Sequence, residues 1–301
     1  MSLICIYGII QRMKKANGSL MLLLTALIWG SAFVAQRTGM DHVGPFTFLV
    51  FRSLSGCLSL LPIVLWLKKR QGADFRMPSL KGGLICGLVL TLGASTQQIG
   101  LVSTSASKAG FIGALYVVLV PVLGVFLGKY APKKIWLSVA LSVVGLFLIS
   151  GMRLDSMQMQ SGDLWILISA VFYAVHILVV AHYAPKANGV ALSCAQFFVL
   201  FVCTLPALLL EKPTLSGIWE AKWAILYTGI LSNAVAYTLQ IIGQQRVPSA
   251  AASLILSLES VFSLAAGMLL LNESLLPAEW IGCALVLFAV IWSQLPERRK
   301  A

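Results

Sequence analysis

Apolar positions in this chain collect into ten long runs: 17–36, 44–67, 82–101, 104–128, 133–151, 162–182, 190–210, 222–243, 248–271 and 276–295. Each run matches the length an α-helix needs to cross a hydrocarbon layer about 30 Å thick at about 1.5 Å per residue. Nearly all charged residues lie in the segments between runs, and only 68–81 is long enough to be more than a turn. The pattern predicts an all-α integral membrane protein with ten transmembrane helices.

Composition excludes the alternatives. Of the 301 residues, 59% are hydrophobic and 11% charged, against about 25% charged in a soluble domain. A soluble fold, a disordered chain and a disulfide-stapled secreted domain are ruled out, and the lipid bilayer becomes the first partner. The net charge of +12 would elsewhere suggest nucleic acid. With the N-terminus placed in the cytoplasm, 16 Lys and Arg fall in inside segments and 4 in outside loops, the asymmetry of the positive-inside rule. The charge therefore predicts both termini cytoplasmic in a multi-pass cell membrane protein, with no nucleic acid as partner. Trp66, Trp136, Trp165, Trp219, Trp223, Trp280 and Trp292 sit at run boundaries, where an interfacial belt places them. Cys5, Cys57, Cys86, Cys194, Cys203 and Cys283 form no metal-ligand spacing; they read as small packing residues, with no metal, disulfide or cofactor expected. Residues 1–13 form an extension whose apolar part precedes a basic cluster, the reverse of a signal peptide. Either Met13 is the natural start or the extension is a short interfacial helix.

Shifted by 144 residues, the chain superimposes on itself in one register. Trp29 then meets Tyr173, Leu61-Pro62 meets Leu205-Pro206, and Ser105-Ala106 meets Ser249-Ala250. Two five-helix repeats, 14–151 and 162–297, follow from this. Five is odd, so the second repeat enters the membrane inverted. That architecture suits alternating access in secondary transporters, with a site near the midplane between the halves.

Four segments carry a family resemblance: LIWGSAFVAQR (27–37), PFTFLVFRSLSG (45–56), SASKAGFIGALYVVLVPVLG (105–124) and ASLILSLESVFSLAAGMLLLNE (252–273). Over roughly 14–297 the chain resembles the ten-span EamA-type members of the drug/metabolite transporter superfamily. The resemblance implies transport of a small-molecule substrate, amino acids and related metabolites first among them, with export modestly favoured. Two positions depart from the family's pattern. Gly128-Lys129 stands where Gly-Glu is common, and Glu259-Ser260-Val261 where Glu-Pro-Val is usual, which removes the reason for a helix break at 260.

Three charges fall inside runs, and an ion there costs several kcal/mol unless paired or hydrated. Glu259 is the acid at depth, a candidate proton-coupling group, with Arg52 and Lys108 as candidate ion-pair partners. Read structurally, Arg52 caps carbonyls, Lys108 snorkels and Glu259 tethers helices. Pro121 is a candidate kink that frees the carbonyl of Val117. Polar and aromatic residues of runs 1, 3, 6 and 8 mark a candidate substrate cavity: Trp29, Ser31, Gln97, Gln98, Tyr173, His176, Asn233, Tyr237 and Gln240. Asn233, Tyr237 and Gln240 share one helix face at i, i+4 and i+7. The competing readings are interhelical hydrogen bonding for the run 8 residues and the glutamines, packing for Trp29 and a hydrogen-bonded filler for His176. Gly83-x-x-x-Gly87 and Gly124-x-x-x-Gly128 predict close helix approach. An intramembrane enzyme is the rival class, but no HExxH or GxSxG occurs. Without a Walker A sequence the chain does not itself use ATP; a permease subunit served by a separate ATPase, or a homodimer, fits the same pattern.

Overall fold

The computed structural model describes residues 3–71, 78–104, 106–150, 160–271 and 276–295. Arg76, Arg153 and residues 298–300, which enter the charge asymmetry, lie outside these ranges. Ten helical elements follow the ten apolar runs: α1 (Leu3–Met40), α2 (Pro45–Gln71), α3 (Pro78–Ser103), α4 (106–126), α5 (Lys133–Ile149), α6 (Ser161–Tyr183), α7 (Gly189–Glu211), α8 (Lys222–Gln244), α9 (249–271) and α10 (Pro277–Gln294). The backbone of α1 is helical back to Leu3, without a break at Met13. Nine of the ten meet the length and hydropathy of a membrane span, and α5 is 17 residues long. The seven tryptophans placed at boundaries are all exposed on the outside of the bundle.

Two of the ten are interrupted midway. α4 consists of α4a (Ala106–Ala114) and α4b (Tyr116–Phe126); α9 consists of α9a (Ser249–Leu256) and α9b (Glu259–Leu271). Leu115 N bonds Ile112 O (3.2 Å) and Leu258 N bonds Ile255 O (3.2 Å), so each break is a tightened turn. The breaks fall at matching places in the two repeats. The break in α9 is present although no proline stands at 260, which corrects the expectation of an unbroken helix there. In α4 the break lies six residues before Pro121, and α4b runs through the proline.

The helices pack mostly on the opposite repeat. α3 lies along α6 as α1 lies along α8; α3 packs on α7 as α2 packs on α8; α4 meets α6 as α9 meets α1. The remaining main pairs, α2 with α7, α4 with α9 and α5 with α10, each map onto themselves when the repeats are exchanged. This is the pairing an inverted repeat requires. Glycines set its closest crossings. A Cβ on Gly162 would stand 2.5 Å from Gly100 O, and one on Gly18, its mate in the repeat, 3.0 Å from Gly243 O. Gly83 and Gly87 likewise let α3 approach α7. Gly124 and Gly128 do not serve as such a pair: Gly128 (φ 72°) closes α4b, with Lys129 N on Gly124 O (2.8 Å) and Gly128 N on Val125 O (2.9 Å), a glycine-terminated helix end. Gly162→Val forces backbone apart and should cost about 2 kcal/mol or more. Gly110→Ala, whose Cβ meets nothing within 4 Å, should cost little. Thermal unfolding in detergent distinguishes the two.

Opposite faces of the bundle differ. α4b and α9a pack together in the main apolar cluster through Val117, Val120, Ala251, Ala252 and Ile255. Their mates under repeat exchange, α9b and α4a, barely touch. The bundle is sealed on one side of the midplane and parted on the other.

Candidate functional site

Where α4a and α9b part, a cavity with about 650 Å³ of empty space, counting its open mouth, reaches the bundle centre. α1 contributes Trp29, Phe33 and Gln36 at i, i+4 and i+7, one helical face. α4a contributes only Ala109, Gly110, Gly113 and Ala114, so its wall carries nothing larger than a methyl group. α6 supplies Tyr173 and His176, α3 supplies Gln97, and α8 supplies Ser232, Tyr237 and Gln240.

Charge of both signs faces this space. Arg52, 8% exposed, donates through Nη1 to Gln36 Oε1 (2.7 Å) and through Nη2 to Asn233 Oδ1 (2.8 Å). Asn233 Nδ2 donates back to Arg52 O (3.1 Å), so the arginine is gripped at side chain and backbone. Two of its five N–H groups are thus committed to amide oxygens, and among the described residues no acid pairs with the cation. Glu259, the first residue of α9b, accepts from the hydroxyl of Tyr116, the first residue of α4b (Oε1, 3.0 Å). The bond joins the two broken helices at their breaks. No ion pair links Arg52 to Glu259. Their charges are therefore offered to the cavity separately.

The walls between them are aromatic. Trp29 and Tyr237 rings lie 4.6 Å apart, His176 and Tyr237 5.8 Å, and Phe197 and Tyr237 5.2 Å. Trp29 Nε1 donates to Ser232 O (3.4 Å), Tyr173 OH to Gln97 Oε1 (3.0 Å) and His176 Nε2 to Gln196 Oε1 (3.0 Å). Gln240, 1% exposed, keeps an Oε1 with no hydrogen-bond partner.

Of the residues singled out by sequence, Trp29, Gln97, Tyr173, His176, Tyr237, Gln240, Arg52 and Glu259 line this one cavity. Ser31 does not; its hydroxyl pairs with Tyr227 OH (2.7 Å). Gln98 turns away, donating to Met40 Sδ (3.1 Å). Asn233 stands behind Arg52 as its holder. The side chain of Lys108 lies outside the described residues. Pro121 lines a different cavity, on the sealed side. Tyr116 and Gln36, which hold the two charged groups, were not singled out. The reason for Asn233 is local: Tyr227–Ala236 is a π-helix within α8. Such wide turns re-aim side chains and recur at functional sites.

Comparison with known proteins agrees on kind. The model of the EamA-like transporter family matches residues 16–151 and 160–294. An uncharacterized transporter of Archaeoglobus fulgidus is 32% identical over 282 residues, covering 93% of this chain and 87% of that protein. The threonine/homoserine exporter RhtA of Escherichia coli is 24% identical, covering 94% and 92%. One crystal structure superposes with a TM-score of 0.76 at 16% identity, covering 92% of this chain and 96% of its own, which shows a shared fold.

Proposed function

The chain belongs to the EamA-like transporter family, and from that premise we propose that it moves an amino acid or related small metabolite by secondary active transport. It is a multi-pass membrane protein of transporter type. In our reading it works by alternating access in the cytoplasmic membrane, both termini inside, with protons as coupling ion and export the favoured direction.

One observation carries the substrate class. A guanidinium and a carboxylate line the same cavity without neutralising each other, separated by aromatic rings. A zwitterion satisfies both: its carboxylate on Arg52, its ammonium toward Glu259 and the faces of Trp29 and Tyr237. The relative named an exporter of threonine and homoserine is in keeping with that chemistry. Alternating access is supported by the unequal pair, sealed α4b–α9a against parted α4a–α9b, because exchanging the two arrangements moves the opening to the other face. Proton coupling is supported by Glu259, an acid at depth whose hydrogen-bond donor sits on the other broken helix.

The test is flux in reconstituted vesicles. Labelled L-threonine, L-homoserine and a panel of other amino acids should include at least one solute with saturable uptake, stimulated by an imposed pH gradient. No flux above protein-free vesicles for any solute overturns the carrier reading.

A further inference from the structure

A second cavity lies beyond the seal, with about 930 Å³ of empty space, counting its open mouth. Val120 of α4b and Ala250 of α9a line it, so it abuts the packed pair that closes this side. Lys129 and Arg246 bring two cations to it, and Tyr130 and Gln244 supply polar groups.

Gln244 is the informative residue. It is 4% exposed, and its Nε2 is committed to Ile177 O (3.0 Å). That bond fixes the amide, and Oε1 is left as a buried acceptor with no hydrogen-bond partner. A buried unpaired acceptor costs on the order of 1–3 kcal/mol, so the position calls for a donor. Gln240, four residues earlier on α8, has the same unpaired Oε1 in the central cavity. The correspondence extends to two more helices. Tyr116 and Ile177 line the central cavity, Val120 and Ala181 the second. On three helices the two cavities are therefore one turn apart, about 6 Å along each axis.

We propose that the second cavity is a solute station on the sealed face, where Lys129 and Arg246 take the acidic end of the solute and Gln244 Oε1 its N–H or O–H. The proposal rests on the transport reading above and deepens it. A solute arriving from this face is held by the same chemistry it meets in the central cavity, a cation and an orphan amide oxygen. It passes from Gln244 to Gln240 along one face of α8 when α4b and α9a separate.

The experiment compares half-saturation concentrations from the two faces, using labelled L-threonine in vesicles of known protein orientation. Lys129→Gln with Arg246→Gln should raise the ratio of the value on the Lys129–Arg246 face to that on the other by tenfold or more. Gln244→Leu should raise it severalfold. A ratio within twofold of wild type in the double variant and in Gln244→Leu overturns the station alone. Wild-type protein that moves neither L-threonine nor any panel solute overturns this proposal together with the transport reading. A ratio that shifts on replacing the two cations only when phosphatidylglycerol is present assigns the cavity to a lipid headgroup, and overturns the solute station.

Discussion

Glu259→Gln should yield a folded carrier that moves solute downhill and no longer responds to a pH gradient. Glutamine has the same shape and keeps an oxygen for Tyr116 OH, so the link between the broken helices survives. What is lost is the exchangeable proton, together with the negative charge that faces the solute's ammonium. One pH unit is worth about 1.4 kcal/mol, so one proton per solute sustains about tenfold accumulation per unit of gradient. Wild-type vesicles should approach that figure and Glu259→Gln vesicles should stay near onefold, with thermal stability close to normal. Downhill flux should be measurable at a raised half-saturation concentration, because the solute's ammonium keeps only the aromatic faces. Accumulation of labelled L-threonine at several imposed gradients measures it. Gradient-driven accumulation that persists in the variant would falsify the coupling role.

Arg52→Gln should reduce transport efficiency by about a hundredfold or more, equivalent to about 2.7 kcal/mol. Two losses combine. The solute carboxylate loses a cation in a site where Coulomb attraction is weakly screened. Gln36 Oε1 and Asn233 Oδ1 also lose their donor, and unsatisfied buried acceptors cost on the order of 1–3 kcal/mol each. Arg52→Lys separates the two, because an ammonium keeps the charge and cannot reproduce the fork that spans both amides. Its activity should fall between wild type and Arg52→Gln, with a circular-dichroism spectrum unchanged. Equal activity in wild type and Arg52→Gln would remove Arg52 from solute binding and leave it a tether between α1, α2 and α8.

The spans were readable because lipid leaves the backbone one economical solution, a helix of fixed length, and the apolar runs report that length directly. The repeat was readable from its register, and Trp29 with Tyr173, matched by it, line the cavity together. Less readable was whatever depended on departures from a regular helix. Asn233, Tyr237 and Gln240 share a face only at 3.6 residues per turn; the π-helix over Tyr227–Ala236 turns Asn233 to Arg52 and brings Ser232 to the cavity. Tyr116 gave no signal, since the break at Leu115 carries neither glycine nor proline and only a break there sets the tyrosine opposite Glu259. Cys57 and Cys194, read separately as packing residues, come from different halves and place their sulfurs 3.8 Å apart.

The exchange of partners between repeats bears on how the chain is made. Translation delivers α1–α5 to the bilayer before α6–α10 exist, and most surfaces of α1–α5 are shaped for helices still unsynthesised. Gln36 is at hand for Arg52 at that stage, and Asn233 arrives 181 residues after Arg52. The nascent half must therefore wait in lipid with a guanidinium half satisfied, a state that an insertase or quality-control protease can sense. Substitutions in α8 that spoil the grip on Arg52 should thus lower the amount of protein in the cell membrane as well as its activity.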